Sequence, residues 1–341
     1  MRTKALLGVL FALVALGVTE AVLRAIYSVD ALLFEWERPS GLIATSLDGG
    51  IVARPNTRDE QFDGPYKWHS RINDLGFRED APIPREKAPG TRRLLALGDS
   101  WIYGFSVQQG KTIPDVLEAL LPAKLGVGRV EVINASVFGS SAFDSARAYH
   151  QLATAYDIDG VLIGTPHNTA RFREQSAART AWYARAQDGP ASTFRTYLLV
   201  RFWLAPLRAG QYARAATGAA LDPEIADIRM VARDARARGL PVWFAELPNN
   251  YDEAKRGFAG LPAWREALQP EGVFTGGHNL ADRACWGFRD LGHPSESGAY
   301  AIAARMADVI AAGASIPVGA EPRCGDVPGV GPQKAGWAWD D

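Results

Sequence analysis

The sequence predicts an α/β protein with a central parallel sheet between two layers of helices, preceded by an N-terminal transmembrane helix. Two observations support this prediction. Short apolar runs with the length of buried strands alternate along the chain with stretches that repeat at the helical period. In addition, a basic N-terminus is followed by a long apolar segment, which is typical of an export signal or a membrane anchor.

The first segment, residues 1–29, predicts an anchor. Arg2 and Lys4 precede an apolar stretch from Ala5 to Leu23 whose one charge is Glu20. A small-residue run at 15–17 offers a cleavage site, but the apolar pattern continues beyond it. We therefore favour an uncleaved signal anchor with its basic end in the cytoplasm and the rest of the chain in the periplasm. Secretion after cleavage is the alternative.

Residues 30–90 predict an N-terminal extension of short strands and loops, and residues 91–312 predict the main domain. Four strands are expected in this domain, at Leu94–Leu97, Arg129–Ala135, Gly160–Thr165 and Pro241–Leu247. The four expected helices are Thr112–Leu121, Ala142–Tyr156, Asp222–Gly239 and Ser295–Ala312.

Three further segments have weaker patterns. An insertion near 171–221 is rich in Ala, Arg and aromatic residues and has no assigned secondary structure. The stretch from Pro248 to Arg289 is predicted to be rich in loops. The tail, 313–341, contains many Gly and Pro residues and is predicted to be irregular.

Composition and cysteine content narrow the function. With 37 basic and 38 acidic residues the net charge is −1, so we expect no nucleic-acid partner. No metal-binding pattern such as CxxC or HExxH occurs, and no cofactor is expected. In an oxidising compartment Cys285 and Cys324 are candidates for a disulfide, whereas two unrelated thiols are the alternative.

Polar residues follow the predicted strands at the edge where α/β sheets bind ligands. Ser100 follows the first strand, and Asp290 and His293 precede the last helix. A serine nucleophile needs a base, and the base needs an acceptor that holds its tautomer. Ser100, His293 and Asp290 can fill these roles. The N–H groups of Ser100 and Gly139 and the amide of Asn168 can form an oxyanion hole.

These motifs resemble those of the SGNH (GDSL) hydrolases, and "NDLGFRED", Asn73 to Asp80, resembles a segment that precedes the hydrolase domain in membrane-anchored bacterial members. The matching blocks read "LGDSWIYG", "VINASVFGSS", "GTPHN" and "DLGHPSESG". The resemblance implies the flavodoxin-like three-layer sandwich of that family. It also implies Ser100 as nucleophile, His293 as base and Asp290 as its orienting partner, with Ser100, Gly139 and Asn168 as the oxyanion hole.

The third block departs from the family pattern of Gly-x-Asn-Asp. Gly164 lies four residues before Asn168, and Thr169 stands in the place of the aspartate. His167 is therefore a second candidate donor. Trp101 and Trp286 are candidates for the substrate cleft, with packing in the core as the alternative.

The resemblance implies a serine esterase that acts on an ester-bearing small molecule or an acylated polysaccharide, with deacetylation of an envelope polysaccharide as the specific expectation. One alternative is an acyltransferase that uses the same triad to O-acetylate a glycan. Another is a non-catalytic factor for glycan binding or assembly. Nucleotide binding is disfavoured, because "GFSVQQGKT" has five residues between its glycines where a phosphate-binding loop needs four. The oligomeric state is left open.

Overall fold

The structure is a computed structural model, and its description covers part of the chain. The described residues are 2–27, 43–45, 51–63, 66–166, 168, 194–200, 221–247, 260–276 and 293–315. The chain divides into two compact units. The first contains Met1–Gly41 and Glu174–Ala219, and the second contains Leu42–Arg173 and Ala220–Asp341.

The first unit contains the N-terminal helix α1, Arg2–Ile26. Its segment Leu6–Ile26 has a mean hydropathy of 2.4, and only 6% of it is buried. By length and composition this helix could cross a membrane. The other described part of this unit is 194–200, which is helical from residue 195.

The second unit is built on a parallel sheet of five strands in the order β6-β5-β7-β8-β9. Two antiparallel hairpins precede the sheet. Their strands are β1 Ile43–Thr45, β2 Ile51–Ala53, β3 Arg58–Asp63 and β4 Tyr66–Arg71. The sheet contains β5 Thr91–Leu97, β6 Arg129–Asn134, β7 Gly160–Gly164, β8 Val242–Ala245 and β9 Phe274–Gly276. The predicted parallel sheet is therefore confirmed.

Helices cover both faces of this sheet. They are α2 Ser100–Tyr103, α3 Ile113–Leu125, α4 Ala142–Leu152, α5 Leu221–Ala237, α6 Gly260–Leu268 and α7 Glu296–Ala312. One buried cluster joins the sheet to α2, α3 and α7, and a second joins it to α4, α5 and α6. The three-layer architecture predicted from the alternating pattern is thus confirmed.

Local signals placed two helices correctly. Thr112 caps α3 through a reciprocal capping box with Asp115. Ser295 caps α7 by accepting a hydrogen bond from the N–H of Gly298. The polar side chains that mark helix starts are therefore used here as the sequence predicts.

The prediction of a loop-rich stretch from Pro248 to Arg289 was wrong in part, because α6 and β9 lie within it. Gly260 and Pro262 fall in the first turn of α6, where proline is tolerated although it weakens the sequence signal. The strand β9 has only three residues and occupies the edge of the sheet, so its pattern is too short to detect.

The predictions for the cysteines and for most of the tail concern residues outside the described ranges. Cys285 and Cys324 are among them, so their pairing stays a prediction. The tail is described only to residue 315, and the insertion is described at 194–200 and at residue 221.

Candidate active site

The predicted nucleophile lies at the turn between β5 and α2. Ser100 is the first residue of α2, directly after the carboxyl end of β5, and is 8% exposed. The carboxylate of Asp99 accepts a hydrogen bond from the N–H of Trp101 at 3.0 Å. Asp99 therefore caps the helix and braces the turn that presents Ser100.

Small residues let this turn pack closely against the sheet. A Cβ atom on Gly98 would lie 2.6 Å from Cγ1 of Ile102, and one on Gly164 would lie 2.4 Å from the same atom. Gly104 ends α2 in the left-handed conformation, with φ of 88°. The short helix can thus lie directly over the ends of β5 and β7.

The predicted base meets the predicted nucleophile. Nε2 of His293 lies 2.8 Å from Oγ of Ser100, across 193 positions of the chain. The histidine precedes α7, and the intervening Pro294 and the cap residue Ser295 are both buried. The packing of α7 against the sheet therefore determines where the imidazole lies.

An aromatic group forms the wall beside the imidazole. The ring of Phe105 lies 4.7 Å from the ring of His293, measured between centroids. Phe105 also contacts Phe138 at 5.4 Å and Trp68 of β4 at 5.2 Å. Phe105 and Phe138 are only partly buried, so an apolar surface that remains accessible lies beside His293.

The second and third motif blocks meet the nucleophile turn through hydrogen bonds. Oγ of Ser140 donates to the carbonyl oxygen of Gly98 at 2.9 Å. The side-chain amide of Asn168 donates to the carbonyl oxygen of Ser140 at 3.1 Å. Gly139 has a φ of 81°, in the left-handed region that favours glycine. Ser100, Gly139 and Asn168 are thus brought to one edge of the sheet.

Arg78 supports the nucleophile helix, and sequence reasoning did not single out this residue. Its guanidinium donates to the carbonyl oxygens of Tyr103 at 2.9 Å and Gly104 at 2.6 Å, at the end of α2. It also donates to the carbonyl oxygen of Val107 at 2.6 Å and lies over the ring of Trp68. The signal available was an arginine inside the segment "NDLGFRED", which precedes the main domain.

Two carboxyl groups accept hydrogen bonds from the edge strand β6. Glu79 accepts from the N–H of Asn134 at 3.0 Å, and Glu118 accepts from the N–H of Val132 at 2.7 Å. Burial, with added repulsion from nearby carboxylates, raises the pKa of Glu79 to about 8 and the pKa of Glu118 to about 7. These side chains occupy the free edge of the sheet next to the site.

Of the remaining predicted site residues, the structure describes Trp101. Trp101 is 2% exposed and belongs to the hydrophobic core, so its environment favours the packing role over contact with substrate. Asp290, His167 and Trp286 lie outside the described residues. Within the described ranges, no group of three or more His, Cys, Asp or Glu side chains could hold a metal ion.

The structure thus places a serine hydroxyl next to an imidazole at the carboxyl edge of a parallel sheet, which is the arrangement that nucleophilic catalysis by serine needs. No protein-family model and no curated protein sequence matches the chain.

Solved structures similar to this chain are esterases and acylhydrolases. The esterase EstA from Pseudoalteromonas sp. is 15% identical, with 64% of this chain and 96% of that chain covered and a TM-score of 0.40. The acetylxylan esterase Axe2 from Geobacillus stearothermophilus is 13% identical, with 66% and 95% covered and a TM-score of 0.41. AlinE4, an SGNH-hydrolase family esterase, is 15% identical, with 67% and 98% covered and a TM-score of 0.35.

Proposed function

We propose that the protein is a serine esterase that works through an acyl-enzyme formed on Ser100. The observation that carries this proposal is the distance of 2.8 Å between Nε2 of His293 and Oγ of Ser100. At this distance the serine can donate its proton to the imidazole as Oγ attacks an ester carbonyl carbon. Asp290, three residues before the histidine, would accept the other ring N–H and stabilise the imidazolium.

The developing oxyanion would be held by three donors. These are the N–H groups of Ser100 and Gly139 and one N–H of the Asn168 side chain, whose amide has two protons and gives one to Ser140. The alcohol leaves with the proton from His293. Water then attacks the acyl-enzyme, with His293 as base, and releases the acid and free Ser100.

For the substrate we propose an acetyl ester on a polysaccharide of the cell envelope. Phe105 and Phe138 support this choice, because partly exposed aromatic rings can contact the apolar faces of sugar rings. Simple esters of small alcohols would be accepted as well, since the same acyl group is transferred.

We propose that α1 anchors this enzyme in the cytoplasmic membrane, with the hydrolase unit on the periplasmic side. The apolar segment Leu6–Ile26 follows basic residues, which remain on the cytoplasmic side of membranes. The mass of the purified protein tests retention of this segment: an intact N-terminus is expected, whereas a shortened chain would mean signal cleavage. The same compartment permits a disulfide between Cys285 and Cys324, which thiol titration with and without reductant would detect.

The activity is tested with the full chain in detergent or vesicles, using p-nitrophenyl acetate as substrate. We expect turnover by the wild type, its loss in Ser100→Ala, and inhibition of the wild type by a serine-directed phosphonate. Thr154→Ala removes an exposed hydroxyl and serves as the control that keeps full activity. Equal activity of the wild type and Ser100→Ala, with the fold verified, would contradict the proposal.

A second assay addresses the substrate and the alternative of acyl transfer. Release of acetate from an O-acetylated polysaccharide is measured with and without an added sugar acceptor. Hydrolysis predicts acetate release that is independent of the acceptor. Appearance of acetylated acceptor at the expense of acetate would instead identify an acyltransferase with the same triad.

A further inference from the structure

The N-terminal helix carries one carboxylate within its apolar segment. The segment Leu6–Ile26 has 21 residues, and its length at the helical rise is therefore about 31 Å, close to the thickness of a bilayer core. Glu20 lies six residues before Ile26. At this rise it lies about 9 Å inside the end of the segment. An unpartnered carboxylate at that depth would be costly.

The structure provides partners for this carboxylate. Glu20 is 7% exposed, although most of α1 is exposed. Its oxygens accept hydrogen bonds from the Nε of Arg24 at 2.8 Å, from the backbone N–H of Arg195 at 2.9 Å, and from the backbone N–H and the hydroxyl of Thr196 at 2.9 and 2.8 Å. Three of these four donors come from a segment that is 175 positions away in the sequence.

These contacts place segment 194–200 beside α1 at the level of Glu20. The segment presents large apolar side chains outward, with Phe194 41%, Tyr197 38% and Val200 53% exposed. A spacing of three residues puts these side chains on one helical face. Arg24 lies over the ring of Phe194 at 5.8 Å, so the cation is also shared between α1 and this segment.

We infer that segment 194–200 is a second membrane-contacting element, held at bilayer depth by Glu20, and that Phe194, Tyr197 and Val200 face lipid. The lipid surface follows from continuity, because α1 presents an apolar surface to the same surroundings at the same depth. Amphipathic segments with aromatic side chains of this kind lie in the interfacial region of membranes. The inference rests on the proposed anchoring of α1.

The test uses the full chain in vesicles of phosphatidylethanolamine and phosphatidylglycerol, with p-benzoylphenylalanine introduced at single positions. Leu13 in α1 reports on the anchor, and Tyr197 and Val200 report on the second element. Met230 in the hydrolase unit is the matched control, since it is also apolar and 45% exposed. After irradiation, covalent lipid adducts are identified by mass spectrometry.

We expect lipid adducts at positions 13, 197 and 200 and none at position 230. Adducts at 13 without adducts at 197 and 200 would overturn this inference and leave the anchor intact. Crosslinks from 197 and 200 to a second copy of the chain would also overturn it. Absence of lipid adducts at 13 would overturn the anchor and this inference together.

Discussion

The helix α1 and the strand β5 are both largely apolar, but only β5 is buried in the core of the protein. The apolar segment of α1 is 6% buried within the protein. In β5, by contrast, Leu94–Leu97 are at most 3% exposed and belong to an inner strand of the sheet. Each of these elements also contains a buried ionised side chain, Glu20 in α1 and Arg93 in β5.

The two charges are compensated in the same way. Glu20 is held by Arg24 and by donors from 195–196, and Arg93 is held by Glu131 and by backbone carbonyl oxygens of Arg85 and Glu86. A charge removed from water is tolerated when an opposite charge and several hydrogen bonds replace the water. The comparison shows that the same requirement is met in both elements, although only one of them lies in the core of the protein.

Arg93→Met tests the charge that is enclosed by protein. The substitution removes the buried partner of Glu131, which keeps only the more exposed Arg129 at 3.1 Å, and it leaves two carbonyl oxygens without their donor. We therefore expect a loss of about 3–5 kcal/mol in the free energy of unfolding. Arg92→Met at the exposed neighbouring position is the control, with a change within about 0.5 kcal/mol. Denaturant unfolding followed by tryptophan fluorescence measures both, and equal losses would contradict the comparison.

Arg78→Met extends the test to a buried guanidinium that lies mostly among carbonyl oxygens. Loss of these hydrogen bonds is expected to cost about 2–4 kcal/mol and to lower kcat, because the C-terminal end of α2, the helix that begins at Ser100, is no longer held. Arg71→Met, which removes an exposed ion pair with Asp80, should cost less than about 1 kcal/mol. Normal kcat in a folded Arg78→Met variant would remove Arg78 from the support of the site.

Glu20→Ala tests the charge on α1, the helix that we propose to be the membrane anchor. The N–H groups of Arg195 and Thr196 lose a charged acceptor, so their hydrogen exchange in vesicles should accelerate by about 10- to 100-fold. Thr19→Ala, at an exposed neighbouring position of α1, should leave these rates unchanged. Unchanged exchange in Glu20→Ala would separate segment 194–200 from α1.

Glu79→Gln tests a half-buried carboxyl group whose neighbouring charges are acidic. The expected effect on the free energy of unfolding is about 1 kcal/mol or less, after allowance for the partial exposure of this side chain. Its pKa is raised to about 8 in the folded chain, chiefly by burial. The stabilising contribution is therefore complete below about pH 4.5 and is lost as the pH rises through 8. Glu79→Gln keeps the acceptor for Asn134 and should reduce this loss of stability, measured as the free energy of unfolding at pH 5 and pH 9.

The exposed Glu86→Gln variant is the control for this pH dependence. It should show the same fall in the free energy of unfolding between the two pH values as the wild type. An identical fall in Glu79→Gln would mean that Glu79 is ionised in the folded chain throughout this range.

Most of the scaffold could be predicted from local sequence. The strands β5 to β8 are apolar runs, and α3 and α7 begin at capping residues, so each signal lies within a few positions of the element that it defines. The motif blocks likewise predict which residues belong to the candidate site. Short elements such as β9 were missed, because three residues at a sheet edge contain too little pattern.

The contacts across long sequence distances depended on the tertiary structure. The sequence identifies Ser100 and His293 as candidates. The distance of 2.8 Å between Oγ of Ser100 and Nε2 of His293 results from the packing of α7 on the sheet. The partners of Glu20 and Arg78 could not be predicted from the sequence either. Most of these partners are backbone groups, which every residue carries, so the side chains of the partner residues give no signal. Local patterns specify which segments fold and which surfaces they bury, whereas the pairing of distant polar groups follows only when those segments pack together.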